Sequence, residues 1–230
     1  MKKIIIIMVL ISFLTFPAQA FEFKRIIGLM SSSYSSRWPE FLYSRDAESS
    51  LNPFKDNRVS FFGGVGLRFA LRRSFELELE VLYKEIGSVY AFETPYHYRE
   101  KYEYRMGMIS VPLLAKYRFL KISQPYLLAG VDYSFILWHR CQVFSMPEGS
   151  AVYEKIIEAD LERQTEKSDL ALVLGVGVEI PMNRSRVNLE VRYEIGSSNL
   201  YKGPWPSATE PYPEVRSRQF LLVLGYSIIR

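Results

Sequence analysis

The feature that most constrains this chain is a series of eight segments in which apolar residues fall at every second position. They lie near 22–31, 58–70, 74–85, 104–119, 124–138, 168–180, 186–195 and 216–229. A period of two puts successive side chains on opposite faces of an extended strand, whereas a helix would mix the two sets. Phe75, Leu77, Leu79, Val81 and Tyr83 alternate with Glu76, Glu78, Glu80, Leu82 and Lys84. Val187, Leu189, Val191, Tyr193 and Ile195 alternate with Asn188, Glu190, Arg192 and Glu194. In the first segment neither face is cleanly apolar, and its orientation stays open.

The connections between these segments run about 26, 3, 18, 4, 29, 5 and 20 residues in turn. With an even strand number, both termini then fall on the short-turn side. That is the layout of an all-β fold: an eight-stranded antiparallel up-and-down transmembrane β-barrel with short periplasmic turns and long extracellular loops. Segments of 10 to 14 residues, tilted, match the roughly 25 Å apolar band of such barrels.

Composition removes other classes. No apolar run reaches the roughly 18 residues of a membrane helix, which excludes a helical multi-span transporter. A single cysteine, Cys141, excludes an intramolecular disulfide framework and any thiolate cluster, and two histidines, His97 and His139, leave little for a metal site. No metal or cofactor is expected. Met1 to Ala20 reads as an export signal, with Lys2 and Lys3, an apolar stretch from Ile4 to Phe16, and Ala18 and Ala20 at the cleavage position. The expected division is a cleaved signal peptide over 1–20 and one barrel domain over 21–230, the alternative being an uncleaved anchor. Without Lys2 and Lys3 the 29 basic residues fall to 27 against 25 acidic ones, so nucleic acid is not an expected partner.

The two faces differ in chemistry. One carries Val59, Phe61, Val65, Leu67 and Phe69, then Phe75 to Tyr83 at alternate positions, Ile109 to Phe119, Leu127 to Leu137 and Leu170 to Val178, almost without charge. Set outward, it would meet outer-membrane lipid. The alternative is a soluble, inverted barrel holding a ligand. The other face places Glu76 and Glu78 at the level of Arg68, Lys116 and Arg118, which predicts a lumen filled by ion pairs. Glu80, Lys84, Asp132, Glu179, Glu190, Arg192 and Glu194 extend that set, while Gly64, Gly66, Gly130, Gly175, Gly177 and Gly225 bend strands or make room for long side chains. An ion path through these charges is the less favoured reading, because eight strands leave an interior that side chains fill.

Tyr83, Trp138 and His139 are expected in an interfacial girdle, and Trp38 and Trp205 mark aromatic long loops that pack over the mouth or meet a protein or glycan partner. No Ser, Asp or Glu stands at a diagnostic spacing from His139, so catalysis is not expected. The segment 154–167 is expected as a solvated loop, with a short helix or a strand extension as alternatives.

Ser110-Val111-Pro112-Leu113-Leu114-Ala115-Lys116-Tyr117-Arg118-Phe119, followed by Gln124-Pro125-Tyr126-Leu127-Leu128-Ala129-Gly130, resembles the small porin-family or PorT-like outer membrane β-barrel domain proteins. Asp169 to Pro181, Val187 to Gly196 and Leu222 to Ile228 carry the same resemblance. It implies an outer-membrane barrel of a Gram-negative-type bacterium with no enzymatic activity in the domain itself. The expected function is a structural or interaction role through extracellular loops. A lid-gated barrel for a small ligand and a rim enzyme are the alternatives.

Overall fold

The computed structural model describes residues 21–35, 54–72, 74–93, 99–119, 124–146, 152–202 and 214–228. Nine strands form among them: β1 (Phe21–Tyr34), β2 (Phe54–Arg72), β3 (Phe75–Glu93), β4 (Arg99–Arg118), β5 (Gln124–Met146), β6 (Glu154–Asp160), β7 (Ser168–Met182), β8 (Ser185–Gly196) and β9 (Ser217–Ile228). Every pairing is antiparallel, and β1 pairs with β9 while β4 pairs with β5, which closes a ring β1-β2-β3-β4-β5-β7-β8-β9. Closure leaves the eight wall strands without an unpaired edge, the one way a sheet can satisfy its backbone in lipid. No described helix is long and apolar enough to cross a membrane.

The alternation seen in the sequence is the alternation of the wall. Even-numbered residues of β3 from Glu76 to Lys84 are buried, while Phe75, Leu79, Val81 and Tyr83 point outward and stay exposed. On β9, Phe220, Leu222, Leu224, Tyr226 and Ile228 are the outward set. The first strand, ambiguous by pattern, turns Glu22, Lys24, Ile26 and Met30 inward and Phe23, Ile27 and Leu29 outward. Its orientation comes from neighbours on both sides, since Lys24 lies opposite Gly66 on β2 and Ser227 on β9.

Two connections expected as loops are largely strand. The ladder between β3 and β4 runs on past the apolar band, from Gly87 opposite Arg105 to Glu93 opposite Arg99. Segment 154–160, expected as a solvated loop, is strand β6, paired with β5 from Arg140–Asp160 to Ser145–Glu154, and a 3-10 turn follows at Glu162–Gln164. A sheet made from the ends of β2 to β5 together with β6 thus rises from one end of the barrel. The short turns and both ends of the described chain lie at the other.

One irregularity resets a face. Gly107 pairs with Trp138 but Met108 pairs with Ile136, so Leu137 is an extra residue in β5. Such a bulge places two residues against one and reverses the alternation beyond it. Leu137 is exposed outward at the bulge, and above it Arg140 points out while His139, Cys141 and Val143 point in. His139 is therefore not a girdle residue: it is fully buried.

Candidate functional site

The interior of the barrel is the most distinctive chemical feature of the molecule. At the short-turn mouth Arg68 reaches Glu78 at 2.7 Å, Glu179 at 2.7 Å and Glu22 at 3.3 Å. Arg118 reaches Glu76 at 2.9 Å and Glu179 at 3.3 Å, and Arg186 reaches Glu179 at 2.8 Å and Glu22 at 3.3 Å. One layer deeper, Lys24 lies 2.8 Å from Glu190, 3.1 Å from Glu78 and 3.2 Å from Glu80. Lys116 lies 2.8 Å from Glu190 and 2.9 Å from Glu78, with its ammonium 4.3 Å from the centre of the Tyr126 ring. Arg192 spans Glu80, at 2.6 and 2.8 Å, and also bonds Glu190.

These contacts join six cations (Lys24, Arg68, Lys116, Arg118, Arg186, Arg192) to six carboxylates (Glu22, Glu76, Glu78, Glu80, Glu179, Glu190). The balance matters, because an unpaired charge at this depth would cost several kcal/mol. Backbone spacing makes it possible: every wall strand but β9 delivers charged side chains inward at alternate positions, and small residues opposite leave room. A side chain at Gly225 would collide with the stem of Lys24, and one at Gly177 with the Tyr126 ring.

Farther up the barrel Lys84 bonds Asp132 at 2.7 Å and Glu194 at 2.6 Å, and the Ser110 hydroxyl donates to Asp132 at 2.6 Å. Around and above it the lumen is mostly apolar, with buried polar groups such as Asp169, which accepts from the Ser217 hydroxyl at 2.6 Å. Ile26, Met30, Phe62, Leu82, Ile86, Met106, Met108, Leu221 and Val223 form one packed cluster. Leu161, Leu200, Tyr201 and Val215 continue that cluster from outside the wall strands. His139 belongs to this upper layer, with Nδ1 2.8 Å from the Thr165 hydroxyl. That hydroxyl donates to the Leu161 carbonyl, so it accepts from His139, whose proton then sits on Nδ1.

All twelve charged residues expected in the lumen are buried there or, for Arg118, nearly so. The structure brings them into two groups, with Lys84, Asp132 and Glu194 apart from the rest. Glu22, Lys24 and Arg186 were missed. For the first two the signal was the uneven first segment, whose charges mark the inward face; Arg186 sits at a strand start, where alternation has barely begun. The apolar upper lumen was also missed, because an inward leucine or methionine interrupts the charged face without announcing a second layer. Tyr83 and Trp138 point outward near the edge of the band. Trp38, Trp205 and His97 lie outside the described residues, as does segment 1–20.

Beyond the band, Glu158 on β6 is partly exposed, and a hydrogen bond from Lys155 holds its carboxyl below the usual carboxylate range. Among the described residues no group of His, Cys, Asp and Glu is arranged to hold a metal ion.

The sequence profile described as outer membrane protein beta-barrel domain matches residues 18–202. No curated protein matches the chain. Among solved structures it is similar to the outer membrane protein OprG from Pseudomonas aeruginosa, at 12% identity over 91% of this chain and 95% of OprG, with a TM-score of 0.50. Neisserial surface protein A is 12% identical over 90% of this chain and 96% of its own, with a TM-score of 0.44. The attachment invasion locus protein Ail of Yersinia pestis is 15% identical over 90% and 98%, with a TM-score of 0.36. At such identities the likeness speaks to fold alone.

Proposed function

Because the chain belongs to the outer membrane protein beta-barrel domain family, we propose that it is an integral barrel closed to solutes by its own side chains, acting as a structural or interaction protein through the sheet raised beyond the membrane. The observation that carries this reading is the balanced cluster of six cations and six carboxylates across the lumen. An eight-stranded wall encloses a space that side chains can fill, and here long charged ones fill it in mutual contact. Solute passage would require breaking several buried pairs at once.

The projecting end supplies the surface for contacts with a protein or glycan partner. A rim enzyme is disfavoured by His139, which is fully buried and hydrogen-bonded through Nδ1. Residues 1–20 are assigned as a cleaved export signal, and the finer kinship with small porin-family or PorT-like proteins rests on the Ser110–Phe119 and Gln124–Gly130 segments.

The deciding experiment reconstitutes the refolded chain in planar bilayers after checking that its electrophoretic mobility changes on boiling. A heat-modifiable barrel without unitary conductance is expected. Steady single-channel steps would overturn the closed-lumen reading in favour of a transport barrel, and a soluble species of unchanged mobility would overturn the membrane assignment.

A further inference from the structure

We propose that the outward guanidiniums of Arg105 and Arg140, with the largely buried Arg58 beside Arg105, bind the phosphate of a phosphorylated lipid headgroup at the outer edge of the apolar band. The apolar face of β4 and β5 ends at Ile109 and Leu137, and beyond the facing Gly107 and Trp138 come the charged Arg105 and Arg140. Arg105 and Arg140 stand directly opposite each other across the two strands. Like charges in that relation destabilise a sheet, and an anion between them relieves the repulsion.

Their protein partners leave donors over. Arg105 gives its Nε and Nη2 to one oxygen of Glu85, at 3.1 and 2.9 Å, and Arg140 has one long contact of 3.4 Å to Glu158. Asp160 lies opposite Arg140 on β6, but its Oδ1 already accepts the Glu162 amide. The third guanidinium arrives by a local distortion. Between Asn57 and Phe62 the β2–β3 register shifts, and the Ser32 hydroxyl on β1 instead bonds the Gly87 amide on β3 at 2.9 Å. The displaced stretch of β2 lets the Arg58 side chain pass over Gly87, where a side chain would meet its Cδ, to bond the same oxygen of Glu85. Two guanidiniums therefore share one carboxylate, and Arg58 Nη1 is buried without a hydrogen-bond partner.

The surroundings fit a lipid and not a free ion. Phe61, 80% exposed, and Val59, 68% exposed, project from the same displaced stretch toward the acyl region. Arg140 lies 5.9 Å from the Trp138 ring, an aromatic of the kind that sits at headgroup level. Cations above apolar side chains on β2, β4 and β5 match a headgroup phosphate with acyl chains below it, and guanidinium forks suit phosphate oxygens. The inference rests on reading the projecting end as the extracellular one.

The test titrates the detergent-refolded chain with diphosphoryl lipid A, its enzymatically dephosphorylated form and inorganic phosphate, scored by native mass spectrometry. Heat-modifiable mobility reports folding separately, so failure of the barrel reading and failure of the phosphate reading give different results. The folded protein is expected to prefer the phosphorylated lipid by roughly tenfold or more, and Arg105→Gln/Arg140→Gln to lose that preference. Equal binding of the two lipids, an undiminished preference in the double variant, or inorganic phosphate binding as tightly as the lipid would each overturn the proposal. Should the double variant not fold, Arg105→Lys/Arg140→Lys and Arg58→Gln decide: a reduced preference supports the site, and a full preference in both refutes it.

Discussion

Arg192 and Arg118 are alike in the sequence, each an inward arginine on an alternating strand, yet their surroundings differ. Arg192 is fully buried and holds Glu80 and Glu190. Arg118 is 13% exposed at the mouth, and its partner Glu76 keeps Arg68 at 3.7 Å and Arg186 at 3.9 Å. Removing one partner of a buried pair costs about 3–5 kcal/mol, because the stranded charge stays desolvated. Arg192→Ala is thus expected to lower the unfolding free energy of the refolded barrel, read from urea titration, by an amount in that range, and Arg118→Ala by much less. Equal effects would mean that the interior is wetter than its geometry implies. The expectation that Arg118 faces Glu76 or Glu78 narrows to Glu76, since Glu78 is held by Lys24, Arg68 and Lys116. Sequence pattern placed these residues on one face but could not rank them, because rank depends on depth and on the number of partners.

At the scale of the element, regular alternation was legible and its interruptions were not. Extended by parity from Leu137, β5 would have turned Cys141 outward; the bulge turns it inward, where it is 2% exposed. A maleimide reagent should therefore leave Cys141 unlabelled in the folded barrel and modify it after unfolding in denaturant. Rapid labelling of the folded form would restore the unbulged register. Nothing in Ile136-Leu137-Trp138 marks a bulge, since all three side chains are apolar and any of them suits an outward position. Strand β6 was similarly hidden. Its charged residues Glu154, Lys155 and Glu158 read as a solvated loop, but strand pairing needs only backbone groups, and β5 offers them along Arg140–Ser145.

For the whole molecule, the interior ion pairs and the external ones answer differently to salt. Pairs such as Lys24–Glu190 are about 1% exposed or less, and mobile ions screen such contacts little. Raising salt from about 0.1 to 1 M should change the unfolding free energy by under about 1 kcal/mol, because only rim pairs such as Arg140–Glu158 and Arg216–Glu214 are open to screening. A steep loss of stability with salt would place water and ions throughout the lumen.

The sequence by itself determined the strand period, the apolar outward face, the alternation of short and long connections, and the set of residues that share the charged face. Those follow from a two-residue repeat, which every strand reports locally. Only the tertiary structure decided that Lys24 completes the charge balance, that the outer half of the lumen is mostly apolar, that His139 turns inward, and that Arg58 and Arg105 share Glu85 on the outer edge. Each of these depends on register between strands distant in the chain, and a one-residue shift in register changes every contact while leaving the local pattern intact.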